Sequence, residues 1–117
     1  MIQNELKRHL PLKAVPHLIL LLLAEQPTYG VDLLGRLEER SQRTVRLNPG
    51  SLYRFIARLV DDGLIVPLTT DEVEANASQR KLYGVTELGR AVLRAEAERQ
   101  SELLTMAENL NLFGGRK

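Results

Sequence analysis

The sequence predicts a mainly α-helical chain with a small β-hairpin, arranged as a winged helix-turn-helix that is followed by a long C-terminal dimerisation helix. Three observations support this. Helical periodicity marks three helices before two short strand-like runs. The third helix starts at a strong capping signal, and the long last helix carries an apolar stripe at coiled-coil spacing. We therefore divide the chain into a winged helix-turn-helix over residues 1–85, including an N-terminal arm, and a dimerisation helix over residues 86–117.

The composition is that of an ordinary folded protein. Its 117 residues suit a small folded unit, and 44% of them are hydrophobic while 26% are charged. Cysteine is absent, which excludes disulfides, thiolate metal sites and cysteine nucleophiles. This usage fits the reducing cytoplasm, where we expect the protein to act.

The first helix of the motif is expected over Pro16–Glu25. Its apolar run, Leu18–Ala24, is much shorter than the roughly 20 residues that span a bilayer, so no membrane contact is expected. The run is apolar on every side and must be covered on every side. In so small a chain, we expect a second subunit to supply part of that cover, at Leu18 and Leu22.

The second helix is expected to begin at the N-cap Thr28 and to end near Arg40. The polar connector that follows, Ser41–Leu47, leaves room for a very short strand at residues 44–46. Of the tyrosines in the chain, Tyr29 and Tyr83 are expected to pack in the core.

The third helix has the clearest boundaries. Asn48 is the expected N-cap, Pro49 occupies the first helical position, and Gly63 ends the helix after Asp62. Three- and four-residue spacings place its apolar residues on one face: Leu52, Ile56, Leu59 and Val60. A different face of the same helix is polar and carries Ser51, Arg54 and Arg58.

Two short strands follow, at Leu64–Val66 and Lys81–Val85, and they predict a hairpin or wing. The segment between them, Pro67–Arg80, is polar and gives the hairpin a long tip. That tip carries three acidic residues, Asp71, Glu72 and Glu74.

The last helix is expected over residues 87–112, with Thr86 as its N-cap. Its stripe follows steps of three and four residues with one inserted residue between Arg99 and Leu103. A partner helix is the natural cover for this stripe, and the alternative is a helix folded back on its own core. With helix 1, the predicted dimer interface comprises Leu18, Leu22, Leu88, Val92, Leu103, Met106, Leu110 and Phe113.

The charge distribution indicates a partner more clearly than the net charge of +1 does. Residues 36–58 carry six arginines against two glutamates, whereas residues 59–79 carry five acidic residues and no basic one. A basic third helix beside a wing is typical of proteins that bind duplex DNA, with the helix in the major groove and the wing on the backbone. The candidate DNA contacts are Ser51, Tyr53, Arg54, Arg58, Gln79, Arg80 and Lys81.

Several stretches taken together resemble the PadR family of transcription regulators, across about residues 16–94. They are Leu20–Ala24 with Tyr29-Gly30, Asn48–Tyr53, Asp62–Ile65, Arg80–Tyr83, Thr86-Glu87 and Gly89-Arg90. The last helix is similar to that of the family's smaller subgroup, whose members dimerise through the first helix and this one.

The resemblance implies a repressor that responds to a ligand or to its own concentration. It also implies that the third helix and the wing bind DNA, which carries over to Ser51, Tyr53, Arg54, Arg80 and Lys81. Because a symmetric dimer imposes its symmetry on the DNA, a roughly palindromic operator is expected. The chain departs from the family at the acidic wing tip and at Gly84, where a side chain is usual and where glycine weakens a strand.

Other functions receive less support. No nucleophile elbow or His–Asp pairing is visible, and the only histidines, His9 and His17, lack carboxylates at ligand spacing, so we expect neither an enzyme nor a metal or cofactor. A small-molecule effector in the dimer cleft stays open, although Phe113 is the only aromatic residue on its expected lining. The remaining alternative is a winged-helix module that docks a protein rather than DNA, an option that the acidic wing tip keeps open.

Overall fold

The computed structural model describes residues 2–68 and 81–112 as five helices and a three-stranded antiparallel sheet. The expected helices 1, 2 and 3 correspond to α2, α3 and α4, and the expected C-terminal helix corresponds to α5. Within the described residues, no helix is both long and apolar enough to cross a membrane. In chain order the elements are α1 Ile2–Lys7, α2 Ala14–Glu25, β1 Thr28–Tyr29, α3 Gly30–Arg40, α4 Pro49–Asp61, β2 Ile65–Pro67, β3 Leu82–Val85 and α5 Glu87–Asn109.

Helix α2 is the centre of the hydrophobic core and is covered largely by its own protomer. It contacts α3, α5 and β3, and its side chains Ile19, Leu20, Leu22 and Leu23 are all buried. The expectation that a second subunit covers Leu22 is therefore wrong, because this side chain is 1% exposed in the single chain. Leu18 is half-buried. The rest of the core comprises Leu33, Leu37, Leu52, Ile56, Leu59, Leu64, Ile65, Tyr83 and Val92.

A third strand, β1, stands where an N-cap was expected. Thr28 pairs with Tyr83 of β3, and its hydroxyl donates to the carbonyl of Gln26 at 3.0 Å and accepts a hydrogen bond from Arg36. Because its hydroxyl has these partners, Thr28 does not cap α3. The helix begins at Gly30 instead, after a Tyr29 that makes no side-chain cap.

The connector between α3 and α4 contains turns and no strand, so the strand expected at residues 44–46 does not form. Gln42 and Arg43 adopt φ values of 53° and 68°, in the left-handed region that closes helix ends. The amide of Arg43 donates to the carbonyl of Glu38 at 2.8 Å, which ends α3 and turns the chain toward α4.

Strands β2 and β3 form the predicted wing. They pair antiparallel with Ile65 opposite Val85, and the sheet order is β1-β3-β2. Beyond the paired residues, the amide of Leu68 donates to the carbonyl of Leu82 at 2.6 Å. The acidic wing-tip residues, and with them Gln79 and Arg80, lie outside the described residues.

Helix α5 has two halves with different surroundings. In the first half, Val92 and Glu96 are both 0% exposed and belong to the core of the protomer. The large apolar residues in the second half and at the C-cap are exposed, between 49% and 70%: Leu103, Leu104, Met106 and the C-cap Leu110. The predicted interface residue Val92 is thus a core residue, whereas Leu103, Met106 and Leu110 have no cover within the described protomer.

Candidate nucleic-acid interface

The start of α4 is fixed by its own sequence. The side-chain oxygen of Asn48 accepts a hydrogen bond from the amide of Ser51 at 2.8 Å, and Pro49 occupies the first position. Both the cap and the proline follow the predicted pattern. The cap and the proline fix the backbone of the first turn of α4.

Three polar residues of α4 share one face, as their spacing predicts. Arg54 is exposed, and its Nη2 donates to the hydroxyl of Ser51 at 3.1 Å. Arg58 is also exposed: 80% of its side chain is accessible, and its Nε lies 3.6 Å from the carboxylate of Asp62. An ion pair this open to solvent holds the guanidinium weakly. Both arginines are therefore free to exchange these contacts for phosphates or bases.

Two further candidate residues, Tyr53 of α4 and Lys81 before β3, are half-buried. Tyr53 is half-buried and packs against the core, and burial raises the pKa of its phenol. Lys81 is half-buried at the base of the wing, and its carbonyl accepts the amide of Gly30 at 3.1 Å. The two other tyrosines differ from each other: Tyr83 is buried as expected, but Tyr29 is 46% exposed, so its expected place in the core is wrong.

Two arginines of the basic stretch have structural partners instead. Arg36 and Arg40 both reach a carboxylate oxygen of Glu25, at 2.9 and 2.6 Å, and so connect α3 to the end of α2. The hydrogen bond from Arg40 lowers the pKa of Glu25. The count of six arginines over residues 36–58 therefore overstates the charge available to a ligand.

One set of basic residues was not predicted as part of the site. A groove of about 590 Å³ runs between α4 and the segment that joins α1 to α2. Arg8 and Lys13 line it from the segment, and Arg54 and Arg58 line it from α4. The only signal in the sequence is that positive charges precede the apolar run of α2, and that signal does not say where they lie in space.

The side chains of the site can bind a ligand through ion pairs and hydrogen bonds. Within residues 2–68 and 81–112, no cluster of three or more His, Asp or Glu side chains has an arrangement that suits a metal ion. The polar face of α4 offers the guanidinium groups of Arg54 and Arg58 and the hydroxyl of Ser51 as donors. Such donors pair with phosphate oxygens and with the acceptor edge of guanine.

Comparison with known proteins identifies relatives of this fold. The profile of the transcriptional regulator PadR-like family matches residues 19–95. A PadR-like transcriptional regulator from Bacillus cereus is similar in structure, with a TM-score of 0.62 and 23% identity over 92% of this chain and 95% of that one.

Two further solved structures are similar. A PadR-like transcription factor from Bacteroides fragilis has a TM-score of 0.60 and 25% identity over 86% of this chain and 89% of that one. A transcriptional regulator from Clostridium thermocellum has a TM-score of 0.60 and 23% identity over 86% of this chain and 92% of that one. No curated protein sequence matches the chain significantly.

Proposed function

Because the chain belongs to the PadR-like family of transcriptional regulators, we propose that it binds duplex DNA as a homodimer and represses transcription from a roughly palindromic operator. One observation carries the proposal: the polar face of α4 presents Ser51, Arg54 and Arg58 at the protein surface, on a helix whose opposite face is buried. A helix with one buried and one cationic face is suited to the major groove, where its first turns reach base edges.

The face of α4 and the base of the wing have different roles in this proposal. Arg54 lies one turn into α4 and is exposed, so it reaches either a guanine edge or a phosphate at the wall of the groove. Lys81 directly precedes β3 at the base of the wing, and its proposed role is to contact the sugar-phosphate backbone. Base contacts provide sequence choice, while phosphate contacts provide affinity and register.

The dimer is proposed from the second half of α5. Leu103, Met106 and Leu110 follow each other at steps of three and four residues and are 49%, 61% and 70% exposed. A soluble protomer rarely leaves such a continuous apolar stripe in water, so a second copy of the helix is the natural partner. Two-fold symmetry then imposes paired half-sites about one helical turn of DNA apart, or a multiple of that distance.

The described part of α5 carries no aromatic side chain. Phe113, the aromatic residue expected to line the dimer cleft, lies outside the described residues, and the proposal does not depend on a small-molecule effector in that cleft. Repression that depends on the concentration of the protein itself needs no such ligand.

Alanine variants of Arg54 and Lys81 test the proposal by fluorescence anisotropy on a selected operator. Arg54→Ala is expected to cost about 1–3 kcal/mol on the operator and to relax base preference. Lys81→Ala is expected to weaken all duplexes alike and to lower the salt slope by about one unit per half-site. Arg94→Ala removes an exposed arginine of α5 and serves as the control, with no expected change.

Two results would contradict the proposal. The wild-type protein would show no salt-dependent binding to any duplex, or Arg54→Ala would bind the operator as the wild type does at moderate salt. Either result would favour a module that docks a protein partner through the charged face.

A further inference from the structure

We infer that the segment joining α1 to α2, residues 8–13, is a third DNA-contacting element, in which Arg8 and Lys13 bind phosphates beside α4. This inference rests on the proposed function and adds a contact that belongs to neither the helix-turn-helix nor the wing. It predicts that the protein contacts the DNA phosphates on the side of α4 where residues 8–13 lie.

The charges around the groove provide the first argument. Its lining includes four cationic side chains, Arg8, Lys13, Arg54 and Arg58, and one carboxylate, Asp62. The carboxylate of Asp62 already pairs with Arg58, whose Nε lies 3.6 Å away. Arg8 and Lys13 are exposed, and neither forms an ion pair with any residue that the structure describes. The side of α4 that faces the groove is therefore strongly positive.

The dimensions of DNA provide the second argument. A helix with its side chains is about 10–12 Å across, and the major groove is about 12 Å wide, so a helix in the groove has phosphates along both of its flanks. The segment at residues 8–13 runs along one flank of α4. Two cations placed there meet the phosphates of that wall when Arg54 enters the groove.

The third argument is that a buried carboxylate fixes the segment in place. Glu96 of α5 is 0% exposed, and its Oε1 accepts the amide of Leu12 at 3.2 Å. Arg99 donates to both carboxylate oxygens, at 3.1 and 2.6 Å, and Gln100 donates to Oε2 at 2.8 Å. The packing of α5 by itself does not require a carboxylate at position 96. The amide of Leu12, in contrast, needs a hydrogen-bond acceptor, and Glu96 provides it.

Glu96 thus acts as a positioning residue for Lys13, because it holds the backbone of the preceding residue, Leu12. The carbonyl of Lys13 is also held, because it accepts the amide of His17 at 2.9 Å and so continues into α2. A cation on a fixed backbone loses less conformational freedom on binding a phosphate than one on a free arm does. The backbone of the segment is therefore preorganised for binding phosphates.

The test compares two double variants that remove equal charge. Arg8→Ala/Lys13→Ala removes both groove cations, and Lys7→Ala/Arg94→Ala removes two exposed cations that do not line the groove. Affinity for an operator duplex is measured by anisotropy across a series of salt concentrations. We expect the groove variant to bind on the order of tenfold more weakly, with a salt slope lower by about two units per half-site, and the control to bind as the wild type does.

Equal slopes for the groove variant and the wild type would overturn the inference, as would an equal loss in the control. These results differ from a failure of the proposed function. If Arg54→Ala loses affinity while Arg8→Ala/Lys13→Ala does not, only the inference fails. If the wild type binds no duplex, the proposed function fails.

The role of Glu96 is tested by a double-mutant cycle. Glu96→Ala is expected to lower the salt slope by about one unit per half-site, and to have no further effect in the Arg8→Ala/Lys13→Ala background. Glu96→Gln keeps an acceptor for the amide of Leu12 and is expected to restore most of the slope. An unchanged slope in Glu96→Ala would show that Glu96 acts only on stability, and an additive loss of slope would show that it acts through residues other than Arg8 and Lys13; either result would overturn this role. If Glu96→Ala does not fold, a slope in Glu96→Gln as low as that of Arg8→Ala/Lys13→Ala would overturn it as well.

Discussion

Replacing Gly89 with alanine should destabilise the protein strongly, although glycine is ordinarily a poor helix residue. Gly89 lies in the first turn of α5, where its amide donates to the hydroxyl of Thr86 at 3.0 Å. A Cβ at this position would lie 2.3 Å from the carbonyl oxygen of Leu64 and 2.5 Å from a methyl group of Val85. Alanine keeps the backbone amide that donates to Thr86, so the change in unfolding free energy reports on the added methyl group.

The expected magnitude follows from these contacts. The methyl group would stand roughly 1 Å inside ordinary van der Waals contact with backbone, which cannot rotate away. The Leu64 carbonyl also accepts the amide of Thr86 at 3.0 Å, so moving it weakens a bond that joins β2 to α5. Overpacking costs about 1–3 kcal/mol and a lost hydrogen bond about 1 kcal/mol, against a gain in helix propensity of about 1 kcal/mol. The net loss should be about 1–3 kcal/mol.

Gly35→Ala is the matched control, because it makes the same change inside α3 with nothing within 4 Å of the new methyl group. This variant should gain about 0.5–1 kcal/mol from helix propensity. Urea denaturation followed by circular dichroism, at one protein concentration for all variants, measures both changes. The reasoning is refuted if Gly89→Ala is as stable as Gly35→Ala.

Three further predictions concern the cap of α4, the buried carboxylate and the stripe of α5. Asn48→Ala should cost about 1 kcal/mol of unfolding free energy in the same urea assay, whereas Asn48→Ser should cost a few tenths, and equal losses would contradict the cap. The hydrogen bond from Arg99 lowers the pKa of Glu96 to about 2, from 4.5. The stabilisation from this group is therefore complete above about pH 4.5 and is lost as the pH falls toward 2, so Glu96→Gln should flatten the decline of stability over that range. Leu103→Asp/Leu110→Asp should give monomers or aggregates, and light scattering that shows intact dimers would place the interface elsewhere.

Local signals made α4 predictable from the sequence. Asn48 and Pro49 fix its start through their own chemistry, and Gly63 ends it with a φ of 78° that other residues rarely adopt. Thr86 likewise caps α5 as expected, by accepting the amide of Gly89. In each case the residues that define the boundary are close together in the chain, so a sequence pattern is enough to find it.

Features that depend on distant contacts were missed. Strand β1 consists of two residues and exists because Thr28 pairs with Tyr83, which lies far along the chain. One side of the groove beside α4 is the segment at residues 8–13, whose Leu12 amide donates to Glu96, 84 positions along the chain. Hydrophobic periodicity shows that a helix such as α2 needs cover but does not show which element supplies it.

The position of α5 also determines how far apart two copies of α4 would stand in the proposed dimer. The hydroxyl of Thr86 donates to the carbonyl of Gly63 at 2.6 Å, and its amide donates to the carbonyl of Leu64 at 3.0 Å. These bonds join the start of α5 to the corner where α4 ends, with the Cα of Gly89 packed closely against that corner. Because the apolar stripe that is proposed to meet its partner lies on the same continuous helix, a shift of α5 at this corner would move α4 relative to the dimer axis. The close packing at Gly89 therefore bears on the spacing of the DNA half-sites as well as on the stability of the fold.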